Sequence, residues 1–156
     1  METNVFSDET IKILRKGGWF KGRSVDTSAW EKLLRKEGYP VHQVVTAFLQ
    51  EFGGLEFKNP KKAPQASADW YFCVEMAVER IYPERVLKYY NRRAGHQLCL
   101  IGDAANGYLM LMMDETGQVY GGYDEEFFYL GKSGPEAIET LRTGRDLGRV
   151  PELPES

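Results

Sequence analysis

The residues able to do chemistry are few, and their spacing is poor for it. Asp124-Glu-Glu126 sets three carboxylates side by side. Such groups ligate hard divalent cations, but consecutive side chains on an extended segment point to opposite faces. A solvated turn fits the run better than a metal site. His42 and His96 stand far apart, neither with Cys, His or Asp partners at ligand spacing. His42 reads as an exposed helical turn. His96 and Cys99 resemble a base and a nucleophile, yet three residues apart on a strand they face opposite ways. Cys73 and Cys99 both fall in strand-like segments and read as buried thiols. No Gly-rich phosphate loop with Lys-Ser/Thr occurs, and no Gly-x-Ser-x-Gly elbow. The sequence therefore predicts no catalytic residue, no metal ligand and no cofactor. An enzyme, for instance a metal-dependent hydrolase built on Asp124, Glu125, Glu126 and His96, is the least supported reading.

What the chain does carry is segregated charge. The net charge is −3, but residues 1–95 sum to +4 and residues 96–156 to −7. From His96 to Gly131 there are six acidic residues and no Lys or Arg. A one-sign segment of that length repels nucleic acid and attracts a basic partner. The plainer explanation is that hairpin turns favour Asp and Glu. Tyrosines lie among the acids, and Tyr supplies contact area at low entropic cost. The expected partner-binding residues are Asp103, Asn106, Tyr108, Asp114, Glu115, Tyr123, Asp124, Glu125 and Glu126. Tyr120, between Val119 and Phe128, is expected to pack the sheet.

These residues need a scaffold, and 156 residues is the length of one domain. No apolar run approaches the roughly 18 residues that span a bilayer, and Met1-Glu-Thr-Asn shows no secretion leader. A cytoplasmic protein is the default. Ser7 caps a first helix ending at Gly17-Gly18, and Asp26 or Thr27 caps a second ending at Gly38. A third spans 41–52, with Val44, Val45, Phe48, Leu49 and Phe52 as its apolar stripe. Leu55-Glu-Phe57 and 69–75 read as strands around a polar loop at 59–67, and a Pro83-initiated helix lies within 77–93. Four strands follow at 97–101, 108–113, 118–121 and 127–130. Asn106-Gly107 is a hairpin signal, and Asp114-Glu-Thr-Gly117 fits a longer turn. A last helix spans 135–143. The pattern is α+β, with residues 1–148 as the domain and 149–156 as a disordered tail.

Five blocks in order resemble the SUKH superfamily, in its third immunity-protein subfamily. They are Gly18-Trp-Phe-Lys-Gly-Arg-Ser-Val-Asp26, Ala47-Phe-Leu-Gln-Glu-Phe-Gly-Gly-Leu55, Leu98-Cys-Leu-Ile-Gly-Asp-Ala104, Met113-Asp-Glu-Thr-Gly-Gln-Val-Tyr-Gly121, and Leu130-Gly with Glu136-Ala-Ile-Glu-Thr-Leu141. The chain departs from the family at Phe20 or Lys21, where Pro is common, and at Leu100-Ile-Gly-Asp103, where the family often has Pro-Ile-Gly-Glu. The resemblance implies a single domain with a twisted, mostly antiparallel sheet and helices packed around it. It also implies a bacterial immunity protein that binds the toxic domain of a polymorphic toxin encoded beside it, commonly a nuclease or deaminase with a basic cleft. It transfers no catalytic residue. Among the matched residues, Trp19, Phe48, Phe52, Leu55, Leu98 and Ile101 are expected in the core. Gly22, Gly53, Gly54, Gly102, Gly117 and Gly121 are expected at turns and caps. Arg23 is expected to pair with Asp26 or another carboxylate. The leading expectation is a non-enzymatic, cytoplasmic toxin inhibitor, monomer or weak dimer, with no nucleic-acid or membrane partner. The alternative is a regulatory or scaffold domain of the same fold.

Overall fold

The computed structural model describes residues 6–59, 69–105 and 108–152. Six antiparallel strands form one open sheet: β1 (Glu56–Phe57), β2 (Trp70–Tyr71), β3 (Cys99–Ala104), β4 (Leu109–Met113), β5 (Val119–Tyr123) and β6 (Glu126–Gly131). Their spatial order is their chain order. The helices are α1 (Asp8–Lys16), α2 (Ser28–Lys36), α3 (Gln43–Phe52), α4 (Val74–Arg80), α5 (Asn91–Ala94) and α6 (Gly134–Thr143), with a π-helical segment at Arg85–Tyr90 leading into α5. The α+β architecture and antiparallel sheet are as expected.

Local chemistry sets the outer helices. Ser7 accepts the Thr10 N–H at 3.2 Å at the start of α1, whose acids and bases sit at the ends the helix dipole favours. Ser133 caps α6 in the same way, and Gly144 ends it in the left-handed region at φ +74°. Glu139 of α6 accepts from the Ser7 N–H at 2.7 Å and the Thr10 hydroxyl at 2.8 Å, which ties the two ends of the fold together. Apolar burial does the rest. Phe48 and Phe52 of α3 stack among Trp19, Phe6 and Phe72, and all five rings are buried. Leu98 and Ile101 are buried as expected, while Leu55 is half-buried against the core.

Several elements differ from expectation. The strand expected over 69–75 is only Trp70–Tyr71, and Val74 starts α4. Val74 and Ala77 are buried, so the apolar residues that suggested a strand serve a helix instead. Cys73 is accordingly the residue before α4, half-buried, and not a strand thiol. Ile81 is extended (φ −120°, ψ 126°) and separates α4 from the next helical segment, which starts at Pro83 as expected. Gly102 and Gly121 lie within strands, not at turns. A Cβ on Gly102 would sit 2.2 Å from the Tyr71 carbonyl oxygen, and one on Gly121 would sit 2.9 Å from the Phe128 ring. Arg23 pairs with no carboxylate among the described residues; it donates to the carbonyls of Glu51 (2.7 Å) and Gly53 (2.9 Å) at the end of α3. His42 is the residue before α3, its Nε2 at 2.9 Å from the Gln97 carbonyl. The hairpin expected at Asn106-Gly107 lies outside the described residues, as does most of the 59–67 loop.

The tail begins later than expected. Arg149 bridges to Phe128, the Val150 N–H donates to the Phe127 carbonyl at 2.9 Å, and Val150 is buried. Residues 149 and 150 therefore belong to the folded body.

Gly102→Ala tests the closest of these approaches. The neighbouring group is backbone and cannot swing aside, so stability should fall by about 2–3 kcal/mol in chemical denaturation. Gly121→Ala meets a side chain that can move and should cost less.

Candidate partner-binding surface

The expected site residues divide between the two ends of the sheet and its interior. Tyr108, Tyr123, Asp124, Glu125 and Glu126 gather at the end where β5 turns into β6. The opposite end carries Asp114 and Glu115, in the turn from β4 to β5. Five residues of β5 separate the ends, about 13 Å at ~3.3 Å per residue. Asn106 lies outside the described residues.

Asp103 is wholly buried on β3, where it accepts from Arg80 Nη1 at 3.0 Å. Burial pushes its carboxyl up, against the pull of Arg80. Asp114 is buried too. It accepts from the Thr116 N–H (2.8 Å) and hydroxyl (2.6 Å), and from the Tyr120 hydroxyl at 2.7 Å. Burial opposes its ionisation, but these hydrogen bonds outweigh that and hold it below the usual carboxylate range. Neither Asp stands on the surface. Both brace the fold, which corrects the surface role expected of them. Tyr120 is buried beside Phe127, as expected of a sheet-packing residue.

Glu115 is exposed but already engaged by His96 Nδ1, and Asp114 Oδ2 lies 3.9 Å from the same nitrogen. The hydrogen bond with Glu115 raises the His96 pKa above its ordinary 6.5, and Asp114 adds to the rise. This is an electrostatic lock on the β4–β5 turn.

The β5–β6 tip is built differently. Asp124 holds a left-handed backbone at φ +50°. Its carbonyl accepts from Arg85 Nη1 at 3.1 Å and from the Tyr90 hydroxyl at 2.8 Å. The Glu125 carbonyl accepts from Arg93 Nη1 at 2.7 Å. Three donors from the π segment and α5 thus grip the turn by its backbone. The carboxylates of Asp124 and Glu125 make no ion pair among the described residues, whereas Glu126 pairs with Arg149 at 3.2 Å. Beside them the Tyr108 and Tyr123 rings pack 4.8 Å apart, with Tyr108 61% exposed.

Sequence reasoning missed the other half of this end. A groove of about 600 Å³ lies between the β4–β5 strand ends and the segment from Arg80 to Tyr89. Tyr82 stands on it, 84% exposed. The available signal was an aromatic beside a helix-breaking proline, Tyr82-Pro83. Among the described residues no three His, Cys, Asp or Glu side chains cluster as a metal site, and no helix is long and apolar enough to cross a membrane.

Residues 6–144 match the profile of the SUKH-3 immunity proteins, which takes in every helix and strand just described. The chain belongs to the SUKH-3 immunity protein family. No curated protein and no solved structure matches it. In this SUKH-3 protein the five sequence blocks map onto the α1–α2 connection, the buried α3 stripe, β3, the β4–β5 turn with the strands around it, and the end of β6 with α6. They mark the scaffold, while the exposed tip falls between them.

Two outcomes follow. His96 has a raised folded pKa, so its stabilising contribution is complete below about pH 6.5 and is lost as pH rises through the higher folded value. Melting temperature should fall over that interval, and His96→Gln should flatten the fall. Arg93→Ala should cost about 3 kcal/mol by denaturation, because it removes the charge-assisted bonds of a buried guanidinium that holds the turn.

Proposed function

We propose that this SUKH-3 protein is a non-enzymatic inhibitor that neutralises a cognate bacterial polymorphic toxin, of nuclease or deaminase type, by binding it in the cytoplasm of the producing cell. The toxin domain is basic, is encoded by a neighbouring gene, and is met by the β5–β6 tip through Asp124, Glu125, Tyr108 and Tyr123. Family membership supports the immunity role. The observation that carries the choice of surface is the pair of unpaired carboxylates on a turn gripped through its carbonyls.

The physical argument is one of preorganisation. A mobile acidic loop loses conformational entropy on binding, whereas a turn already fixed by Arg85, Tyr90 and Arg93 loses little. The same arginines leave the carboxylates free, since they bond backbone oxygen instead. Free charge at a strand end steers a basic partner during encounter, and the adjacent tyrosines add contact area once it docks. Glu115 takes no part, because it faces the other end of the sheet and is engaged by His96.

The test is co-expression with the neighbouring gene product, scored by growth, followed by binding kinetics on the purified pair. Wild type should rescue growth and form a stable complex. Asp124→Lys with Glu125→Lys should slow association about tenfold or more at low salt and flatten its salt dependence. Glu115→Lys should leave the rate unchanged. Unimpaired association of the doubly reversed tip would remove the assignment of this surface. A neighbour that is harmless, or toxic without rescue, would remove the immunity reading itself.

A further inference from the structure

The groove beside the tip has a chemistry of its own. Arg80 of α4 and Arg85 of the π segment contribute from the helical side, and Tyr108 and Tyr123 from the strand side. Both guanidinium groups are anchored from behind. Arg80 gives one nitrogen to the buried Asp103 at 3.0 Å. Arg85 gives one to the Asp124 carbonyl at 3.1 Å and lies 5.7 Å above the Tyr89 ring. Each keeps its Nε and Nη2 groups without a hydrogen-bond partner among the described residues. An arginine held this way has already lost rotamer freedom, so a ligand need not order it.

The backbone singles out the same place. The Asn91 N–H reaches back to the Val86 carbonyl, five residues away, which marks the π turn. Such turns recur at functional sites, because they re-aim side chains a regular helix would present elsewhere. Here the wider turn stacks Arg85 on Tyr89, four residues on. Asp124, on the groove, and Ala105, in the turn leading to Tyr108, are the only non-glycine residues with positive φ among those described, at +50° and +54°. These conformations cost free energy and persist only where the surroundings enforce them.

The charge pattern selects the occupant. Two guanidinium forks and two tyrosines lining one groove match a carboxylate, which accepts paired N–H bonds and further donors at once. A nucleic-acid strand fits poorly. Glu84 and Asp124 stand on the groove and Glu125 lies just beyond, and a run of phosphates would meet all three. We infer that the groove binds a carboxylate-bearing segment of a protein partner, its acidic side chain seated on Arg80 and Arg85 between the tyrosines. The inference rests on the immunity reading for the partner's identity, and gives that partner an acidic anchor beside its basic patch.

The test needs no toxin. The Arg Nε–Hε resonances of the labelled protein are followed while three probes are added: an acetylated Glu/Ala peptide, a Lys/Ala peptide of equal length, and a single-stranded oligothymidylate. The Glu/Ala peptide should shift the Arg80 and Arg85 resonances saturably. Arg85→Gln, with an unchanged melting temperature, should weaken that peptide about tenfold. Absence of a saturable shift overturns the inference. So does tighter binding at these arginines by either other probe, and the oligothymidylate result would then point to nucleic acid. Growth rescue is scored separately. Lost peptide binding with intact rescue removes the groove alone, and lost rescue with intact peptide binding removes the immunity reading alone.

Discussion

Much of this structure hangs on a buried guanidinium that has no carboxylate partner among the described residues. Arg93 is 7% exposed and donates to the carbonyls of Glu125 and Val150 and to the Tyr89 hydroxyl. Its plane also meets the faces of Tyr89 and Phe127, at 5.7 and 5.4 Å. Moving a charge out of water costs several kcal/mol. Carbonyl dipoles and ring quadrupoles together offset that here, with charged hydrogen bonds worth about 1.5–3 kcal/mol each. One Nε–H is left without a partner, so the site is not fully satisfied. Through this one side chain α5, the β5–β6 hairpin and the segment at residues 149–150 are held as a unit. The fixed tip and the docking of residues 149–150 are two results of the same contact.

That contact also explains how a chain with segregated charge folds into a surface of mixed charge. The basic first part supplies Arg80, Arg85 and Arg93, and the acidic second part supplies the turn they hold. Two of the three bond the turn's carbonyls, and Arg80 bonds the interior Asp103. Opposite charges approach without cancelling at the surface. Anionic and cationic groups then stand side by side in fixed positions, which discriminates among partners better than a uniform field does.

Much of the scaffold was legible because its signals are local. Ser7 and Ser133 announce their helices, Gly117 announces its turn, and short apolar and aromatic runs between turn residues mark β4 to β6. Tyr123, Asp124 and Glu125 could be placed together because one hairpin holds them. Helix α4 was missed because Trp70 to Val74 has strand composition, and only the packing of Val74 and Ala77 decides against it. Asp103 and Asp114 were misplaced for a related reason. An aspartate's burial depends on partners such as Arg80 and Tyr120, and nothing in the acidic run names them. The groove was invisible since it joins residues 80–89 to 108–124, across a boundary that composition and charge draw between them.

The sheet also leaves little unpaired backbone at its margins. Residues 148–150 lie along β6, and at the other margin the turn after α1 closes on β1, where a Cβ on Gly17 would come 2.7 Å from the Glu56 carbonyl oxygen. Bare strand edges are templates for aggregation, and both margins here are blunted. The same blunting closes the route by which many recognition domains add a strand from their ligand. A partner that reads side chains instead meets chemistry that point substitutions can retune without disturbing the sheet.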